Sequence, residues 1–344
     1  MKIETQARAR FCALMPLLML ALVAAALASA AVGGAGAAWA APDHNIPKGG
    51  FITTPDGVKI HYLEAGRAKF AGAGTVGHPA PADATMTKGD VSLEPQYGFN
   101  SILFVPGWTM PAWIWGKQLE YFSDDWRVVA MDPRGQGESS KNATDYSPAA
   151  RARDIKAMID QRKLARVVVV GWSAGVMDIA AFVDQFGTDE IAGLVLVDGF
   201  AGVDGGMPKG IQEWMDSIKA EPQKQAANFV RSMFKKPQDE EYLGKLTRAS
   251  LEMPTNYALA EMKGFWTSDY RGALGKINKP TLIVCAQSGM LPRFEEMQKQ
   301  IHGARMEIFE GDGHALFVDD PDKFNGLIED FLLDLKQKAA GAAR

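Results

Sequence analysis

The chain has 344 residues, of which 47% are hydrophobic and 23% charged, and its formal net charge at pH 7 is −4. This length is ample for one large hydrophobic core, or for one core with a covering subdomain. The charges are scattered along the chain without a basic stripe, which argues against nucleic acid as a partner.

The first 40 residues have the pattern of a secretory signal. A short basic start, MKIETQARAR, precedes the apolar run FCALMPLLMLALVAAALASA, and Ala38-Trp39-Ala40 forms an A-x-A cleavage site. We therefore predict a signal peptide over 1–40 and a periplasmic or secreted protein that leaves the membrane after cleavage. The apolar run is long enough for an uncleaved membrane anchor, which stays the alternative. After cleavage Cys285 stands alone, so no intramolecular disulfide is expected.

Short apolar runs alternate with helical patterns along the rest of the chain. Two segments, GGFITTPDG and VKIHYLEAG, predict a β-hairpin that turns at Pro55-Asp56-Gly57. Six continuous apolar runs are typical of strands buried on both faces of a parallel sheet: 101–107, 126–132, 166–171, 192–199, 281–287 and 305–311. Helical patterns lie between most of them. The alternation predicts an α/β fold with a mostly parallel sheet of about eight strands flanked by helices.

Two segments interrupt the alternation. Residues 67–95 are rich in Gly, Ala and Pro without periodicity, which predicts an irregular insertion between two strands. Residues 200–279 are helical in pattern and rich in Met and aromatic residues, and a segment of this length is not a simple loop. We predict a helical cap over 200–279, inserted after the sixth strand, between core segments at 41–199 and 280–344.

The pentapeptide GWSAG, residues 171–175, predicts a serine nucleophile. It matches G-x-S-x-G and lies between an apolar strand and a helical pattern, where a sharp turn lifts the serine oxygen above the sheet. Gly171 and Gly175 supply the small residues that this turn needs. The following helix N-terminus offers N–H groups for developing negative charge. We predict Ser173 as the nucleophile, and the alternative is a glycine turn with an incidental serine.

His314 is the predicted general base, because a serine hydroxyl needs a base to take its proton. It follows the last predicted strand and precedes the last predicted helix, and loops at that edge of a parallel sheet converge where Ser173 points. We expect solvated or structural roles for the other four histidines, His44, His61, His78 and His302.

These motifs together resemble those of the α/β-hydrolase fold family, in its capped branch of serine esterases, lipases and non-haem haloperoxidases. GWSAG resembles the nucleophile elbow of the family, and GDGHALFVDDPDKF resembles its histidine segment. MDPRGQGESS, residues 131–140, resembles its loop after the fourth strand. The likeness extends over nearly all of residues 48–338. It implies that Asp132 and Arg134 are structural, with Arg134 tying loops together.

The resemblance also implies the position of an oxyanion hole. VPGWTMPAWIW resembles the oxyanion loop of the family, with Pro106 in place of the usual histidine. The hole is predicted to use the main-chain N–H groups of Ala174, directly after the nucleophile, and of Trp108, directly after Gly107. Since the main chain of Trp108, and not its side chain, is predicted to bind the oxyanion, its indole is predicted to line the substrate pocket.

The acid of the predicted triad is missing from its usual position. In most relatives it follows the strand written here TLIVCAQ, in a G-x-x-D pattern, and Gly289 occupies that position. Asp198, which ends AGLVLVDG, is the best candidate, because some members of the family place their acid after this earlier strand. An aspartate at a strand end can also merely shape a turn. Weaker candidates are Asp178, Asp204 and Asp312, and a Ser–His dyad without an acid is the remaining alternative.

The predicted reaction is acyl transfer. A serine at position 173 excludes the carboxylate nucleophile of dehalogenases and epoxide hydrolases. Ser173 would attack an ester carbonyl, and water would then release the acyl-enzyme. No metal-ligand cluster or nucleotide-binding motif is visible in the sequence, so we predict no cofactor and no metal.

The predicted substrate is a small or medium apolar acyl compound, because the Met- and aromatic-rich cap segment would tolerate varied shapes. Trp172 and Phe200 are predicted substrate contacts, with ordinary packing as the alternative for Trp172. The same triad would serve a cofactor-free haloperoxidase or perhydrolase, a lactonase, or a carbon–carbon bond hydrolase. A non-catalytic binding protein that keeps the fold is a further alternative. The oligomeric state is not indicated by the sequence.

Overall fold

The computed structural model describes residues 47–66, 99, 101–164 and 166–342. The predicted signal peptide at 1–40 and the irregular segment at 67–95 lie outside the described residues, so both stay predictions. Within the described part of the chain, no helix combines the length and the apolar character needed to cross a bilayer.

An antiparallel hairpin comes first. Strand β1 (Lys48–Thr53) pairs with β2 (Lys59–Ala65) along its whole length. The predicted turn joins them: Gly57 has a φ of 82°, which glycine adopts without strain, and its N–H donates to the Thr54 carbonyl oxygen.

Strands and helices alternate through the rest of the chain. Up to the sixth strand the elements are β3 (Ser101–Val105), a 3-10 turn (Ala112–Trp115), α1 (Gly116–Phe122), β4 (Arg127–Met131), α2 (Pro148–Arg162), β5 (Val167–Trp172), α3 (Ala174–Phe186) and β6 (Ile191–Val197). Five helices follow: α4 (Lys209–Ala220), α5 (Pro222–Ser232), α6 (Glu240–Glu252), α7 (Thr255–Thr267) and α8 (Arg271–Leu274). The last elements are β7 (Thr281–Ala286), α9 (Leu291–Gln300), β8 (Arg305–Phe309), α10 (Leu316–Asp319) and α11 (Pro321–Ala342).

The strands form one eight-stranded sheet in the order β1-β2-β4-β3-β5-β6-β7-β8. β2 is antiparallel to β4, and all pairs from β4 to β8 are parallel. Alternate residues enter different core clusters: Val168 and Val170 of β5 pack on one face, and Val167 and Val169 pack on the other. Both faces are buried, which explains the continuous apolar runs. The predicted α/β fold is confirmed.

Helices α4 to α8 lie between β6 and β7, within the segment 200–279 that we call the cap. Its two chain connections meet at its base, where the Tyr270 N–H donates to the Ala201 carbonyl oxygen at 2.7 Å. Gly202 and Asp269 form a β-bridge beside them. The boundaries assigned to core and cap stay an interpretation of the sequence.

Arg134 has the structural position that the resemblance implies. Its side chain is fully buried, and its Nε and Nη2 atoms donate to the two oxygens of Asp154 at 2.8 and 2.7 Å. The Nη1 atom donates to Asp56 at 3.0 Å and to the Asp145 carbonyl oxygen at 2.9 Å. One guanidinium therefore joins the hairpin turn, the loop before α2 and α2 itself.

A second buried ionic cluster joins the cap to the core. Arg151 of α2 is 1% exposed, and its Nε atom lies 2.7 Å from Oδ2 of Asp178 in α3. Its Nη1 atom lies 2.8 Å from Oε1 of Glu261 in the cap helix α7. The Gln136 amide donates to the Glu261 carboxylate at 3.1 Å. Asp178, a weaker candidate for the triad acid, is thus paired with an arginine inside the core.

We expect this cluster to make the stability of the fold depend on pH. Burial raises the pKa of Asp178 from 3.8 to about 6 and that of Glu261 from 4.5 to about 7. The folded chain therefore holds these protons more tightly than the unfolded chain. The resulting stabilisation is complete below about pH 4 and is lost as the pH rises through about 7. In Glu261→Gln, the fall in the free energy of unfolding between pH 4 and 8 should be smaller than in wild type by roughly 2–3 kcal/mol, because one titrating carboxyl is gone.

Urea unfolding at several pH values between 4 and 8 would measure this effect. The matched control is Glu241→Gln, which changes an exposed glutamate on a cap helix. Equal pH dependence in Glu261→Gln and in wild type would contradict the assignment to Glu261.

Candidate active site

Ser173 occupies a strained turn between β5 and α3. Its φ and ψ are 57° and −118°, values that a residue other than glycine adopts only at a cost of about 1–3 kcal/mol. The flanking glycines are required by space. A Cβ atom on Gly171 would collide with the Ile179 side chain, and one on Gly175 would lie 2.7 Å from the Val105 carbonyl oxygen. The predicted strand–turn–helix context of Ser173 is therefore present.

His314 and Asp198 form a close pair at the same edge of the sheet. The His314 Nδ1 atom lies 2.6 Å from Oδ2 of Asp198, the residue directly after β6. The other carboxylate oxygen accepts the Ala286 N–H at 2.9 Å, at the end of β7. With Nδ1 donating to the carboxylate, Nε2 is the imidazole nitrogen left to accept a proton. Asp198 has a φ of 42°, so its backbone is strained as well.

Contacts of the elbow join this pair to Ser173. The Ser173 N–H donates to the Val197 carbonyl oxygen at 2.9 Å, directly before Asp198. On the other side, the Trp172 indole N–H donates to the His314 carbonyl oxygen at 2.8 Å. The structure thus brings the predicted nucleophile, base and acid to one place, and their catalytic roles are developed below as a proposal.

The loop after β7, where the acid is usual, has no carboxylate at the expected place. Gly289 is exposed, and Glu295 and Glu296 are exposed on α9. What this strand supplies is the Ala286 N–H that holds Asp198 in place. The main chain at the end of β7 therefore supports an acid carried by its neighbour β6.

The remaining candidate acids have other partners. Asp204 lies 2.7 Å from the Arg271 guanidinium, and its side chain is 89% exposed. Asp312 is buried and lies 2.9 Å from the Lys236 ammonium group. Each therefore contributes to an ion pair away from the imidazole of His314.

The predicted oxyanion loop lies against the nucleophile. A Cβ atom on Gly107 would be 2.9 Å from the Ser173 Cβ atom and 3.4 Å from its Oγ atom, so only glycine allows this approach. Trp108 follows directly, and Ala174 begins α3, where the first N–H groups of a helix have no partner within it. The Trp108 N–H thus directly follows the glycine that lies against Ser173, and the Ala174 N–H directly follows Ser173 itself.

The predicted substrate contacts, Trp172 and Phe200, are packed side chains. Trp172 is 1% exposed and packs edge-on against Phe317, with ring centroids 5.1 Å apart. Phe200 packs against Phe265 and Trp266 of α7 at 5.0 and 5.8 Å. These contacts favour the packing alternative for Trp172, and substrate contact for either residue stays a prediction.

The other histidines are separate from this site. His61 is buried in β2, and its Nδ1 atom lies 2.7 Å from Oδ2 of Asp132, which ties the hairpin to the loop after β4. His302 is exposed. His44 and His78 lie outside the described residues, so the expectations for them stay untested.

Asp319 is a functional neighbour that the sequence did not reveal. Its Oδ2 atom accepts the N–H of Gly313, next to His314, at 2.7 Å, and the N–H of Lys235 in the cap at 2.9 Å. Its Oδ1 atom accepts the Gln238 amide at 2.9 Å. Burial raises the pKa of this carboxyl. The available signal was the pair Asp319-Asp320 before a helix, a pattern that normally indicates only a helix N-cap.

A small apolar cavity of about 30 Å³ lies between the cap and the oxyanion loop. Its wall includes Trp108 from the loop and Trp214, Phe229 and Met253 from the cap. Trp108 therefore borders a cavity on the side of the cap, and the role predicted for its indole in a substrate pocket stays a prediction.

Comparison with known proteins agrees with this architecture. Residues 102–327 match the model of the alpha/beta hydrolase family. The fold and the match define an α/β hydrolase, and the chain belongs to this family.

Relatives within the family include peroxidases and esterases. The chain is 25% identical to a non-heme chloroperoxidase of Kitasatospora aureofaciens, over 67% of this chain and 91% of the relative. It is 24% identical to a bifunctional esterase/perhydrolase of Acinetobacter calcoaceticus, over 80% of this chain and 96% of the relative. A bromoperoxidase from Bacillus anthracis superposes with a TM-score of 0.69 at 18% identity, over 83% of this chain and 99% of that chain. The last likeness shows the shared fold.

Removal of the Asp319 carboxylate should loosen the histidine loop. Asp319→Ala leaves buried N–H donors without their acceptor, and we expect it to lower the free energy of unfolding by about 2–4 kcal/mol. Its neighbour gives the matched control: Asp320 pairs with Lys236 and is partly exposed, so Asp320→Ala should cost about 1 kcal/mol or less. Chemical unfolding of both variants measures the difference, and equal losses would contradict the role given to Asp319.

Proposed function

We propose that this α/β hydrolase is a serine hydrolase that cleaves carboxylic esters through an acyl-enzyme. The observation that carries the proposal is the His314–Asp198 contact of 2.6 Å beside a serine held in a strained strand-to-helix turn. A histidine oriented by a carboxylate next to such a serine is the arrangement that activates a hydroxyl for acyl transfer.

The proposed reaction assigns each residue one task. The His314 Nε2 atom takes the hydroxyl proton as Ser173 Oγ attacks the ester carbonyl carbon. The negative charge on the carbonyl oxygen is stabilised by the main-chain N–H groups of Ala174 and Trp108. The protonated imidazole, stabilised by Asp198, gives its proton to the leaving alcohol. A water molecule activated by His314 then hydrolyses the acyl-enzyme and restores the serine.

The proposed substrate is a small or medium apolar acyl ester. The cap wall next to the oxyanion loop supports this choice, since Trp214, Phe229 and Met253 line the cavity there. Aromatic and thioether side chains contact apolar groups well and provide no positive charge for an anionic group.

We also propose that the enzyme works outside the cytoplasm, after removal of residues 1–40. The basic start, apolar run and A-x-A site of the sequence support export. N-terminal sequencing of the protein expressed in a bacterial host tests this: a chain that begins at Ala41 supports cleavage, and an intact Met1 in the membrane fraction would contradict it.

The triad is tested with p-nitrophenyl acetate, butyrate and octanoate. Ser173→Ala should lower kcat by about 10⁴-fold or more, because the nucleophile is gone. Asp198→Asn should lower kcat by a factor on the order of 10⁴, since an amide facing Nδ1 favours the wrong imidazole tautomer. The Asn side chain still offers an oxygen to the Ala286 N–H, so the fold should persist, as circular dichroism can verify.

Gly289→Asp is the matched control for the relocated acid. It restores a carboxylate at the usual position, and activity should not rise, because His314 already has its partner. Near-normal kcat in Asp198→Asn would contradict the acid assignment alone. A wild-type protein that neither hydrolyses these esters nor reacts with a fluorophosphonate would contradict the proposed function and favour a binding protein with this fold.

A second candidate function is perhydrolysis, in which hydrogen peroxide replaces water at the acyl-enzyme. The similarity to a bifunctional esterase/perhydrolase favours it. Incubation of the enzyme with acetate and hydrogen peroxide would yield peracetic acid, measured by bromide oxidation. A Ser173-dependent rate would support this activity beside ester hydrolysis, and a rate equal to that of Ser173→Ala would exclude it.

A further inference from the structure

The side chain of Trp108 extends into the cap. Its indole N–H donates to the main-chain carbonyl oxygen of Ala258 in α7 at 2.7 Å. Its ring makes edge-on contacts with Trp214 of α4 and Phe229 of α5, with centroid distances of 5.3 and 5.1 Å. Only 7% of the residue is exposed. One side chain of the oxyanion loop is therefore held by three cap helices.

The next residue has a second connection to the cap. The Thr109 Oγ1 atom lies 2.8 Å from the Ser250 Oγ atom in α6, and both residues are buried. Thr109 has a φ of 59°, a conformation that costs a β-branched residue energy and persists only when its surroundings impose it. The Ser250 contact is one of the surroundings that hold it.

The main chain of the same loop touches the nucleophile. Gly107 approaches Ser173 so closely that an added Cβ atom would lie 3.4 Å from Oγ. The loop therefore has its backbone at the predicted oxyanion position and its next two side chains anchored in the cap. A movement of the cap would displace the Trp108 N–H relative to Ser173.

We propose that Trp108 is a positioning residue through which the cap holds the oxyanion loop in its catalytic geometry. The inference rests on the proposed serine hydrolase function. The Trp108 N–H makes the hydrogen bond to the oxyanion, and the Trp108 indole fixes where that N–H points. A displacement of about 1 Å at a catalytic group can cost about 100-fold in rate, so the anchor affects kcat even though the indole makes no contact with the reacting atoms.

The variant Trp108→Phe separates the anchor from the donor. It keeps the main-chain N–H and an aromatic ring but removes the indole hydrogen bond to Ala258. We expect kcat for p-nitrophenyl butyrate to fall by about 10–100-fold, with KM within about threefold of wild type. This fall in kcat is no larger than the fall caused by removing a whole oxyanion donor. Inhibition by butylboronic acid, which forms a tetrahedral adduct with serine, should weaken by a factor similar to the fall in kcat.

Trp126→Phe is the matched control. Trp126 is 5% exposed, stacks on Phe99 at 5.5 Å and precedes β4 at the amino ends of the parallel strands, whereas the oxyanion loop follows β3 at their carboxyl ends. Its replacement removes the same atoms from a buried tryptophan and should leave kcat and boronate inhibition within about twofold of wild type. Thermal melting of both variants shows whether they lose stability to a similar extent.

A second variant removes the other anchor from the cap side. Ser250→Ala leaves the sequence of the oxyanion loop intact and deletes the partner of Thr109. We expect kcat to fall by about three- to tenfold with boronate inhibition weakened in parallel. This variant tests the inference even where Trp108→Phe does not fold.

The outcomes separate this inference from the proposed function. An active wild type whose folded Trp108→Phe and Ser250→Ala variants keep kcat and boronate inhibition within about twofold would overturn the positioning role alone. A rise in KM with unchanged kcat would also overturn it, because the side chain would then act in substrate binding. A wild type that neither hydrolyses esters nor labels with a fluorophosphonate would overturn the proposed function and the positioning role together.

Discussion

The hydrogen bond between His314 Nδ1 and Asp198 Oδ2, 2.6 Å long, is the contact on which the arrangement of the site depends. It requires that the strand after the elbow end in an acid and that the histidine loop fold back over that strand. The sheet meets both conditions because β5, β6 and β7 are neighbours and run parallel. The Ala286 N–H on the far side of Asp198 then fixes the second carboxylate oxygen. The geometry of the sheet thus brings the Asp198 carboxylate to His314, although Gly289 supplies none.

The cap contributes to this site by holding loops that belong to the core. On one side it accepts the Trp108 indole N–H through the Ala258 carbonyl oxygen. On the other side its Lys235 N–H shares the Asp319 carboxylate with Gly313, next to the histidine. The hydrogen bond to Ala258 is buried and the one from Lys235 is partly buried, and hydrogen bonds away from water are stronger and more costly to lose than those at the surface. The cap therefore supports the loops that carry Trp108 and His314.

Much of the fold was predictable because hydrophobic periodicity is a local property of the sequence. The grouping of Ser173, His314 and Asp198 was also predictable, because parallel strands end at a common edge of the sheet. The ion pair between Arg151 and Glu261 was not predictable, because a charged residue on a helix normally indicates a solvated face and the two residues are far apart in the sequence. Trp172 shows a different difficulty. It continues the alternation of the β5 residues that face one core cluster, so its side chain packs inward although the next residue is the predicted nucleophile.

Asp198 also lies close along the chain to the point where the cap joins the core. Asp198 is followed within three residues by Ala201, whose carbonyl oxygen closes the base of the cap by accepting the Tyr270 N–H at 2.7 Å. The Asp198 carboxylate and the base of the cap thus lie on one short piece of chain. A segment that replaces this cap must therefore join the chain between Ala201 and Tyr270, so that the backbone path from Asp198 to Ala201 is kept. An exchange of the cap would therefore also act on the position of the Asp198 carboxylate beside His314.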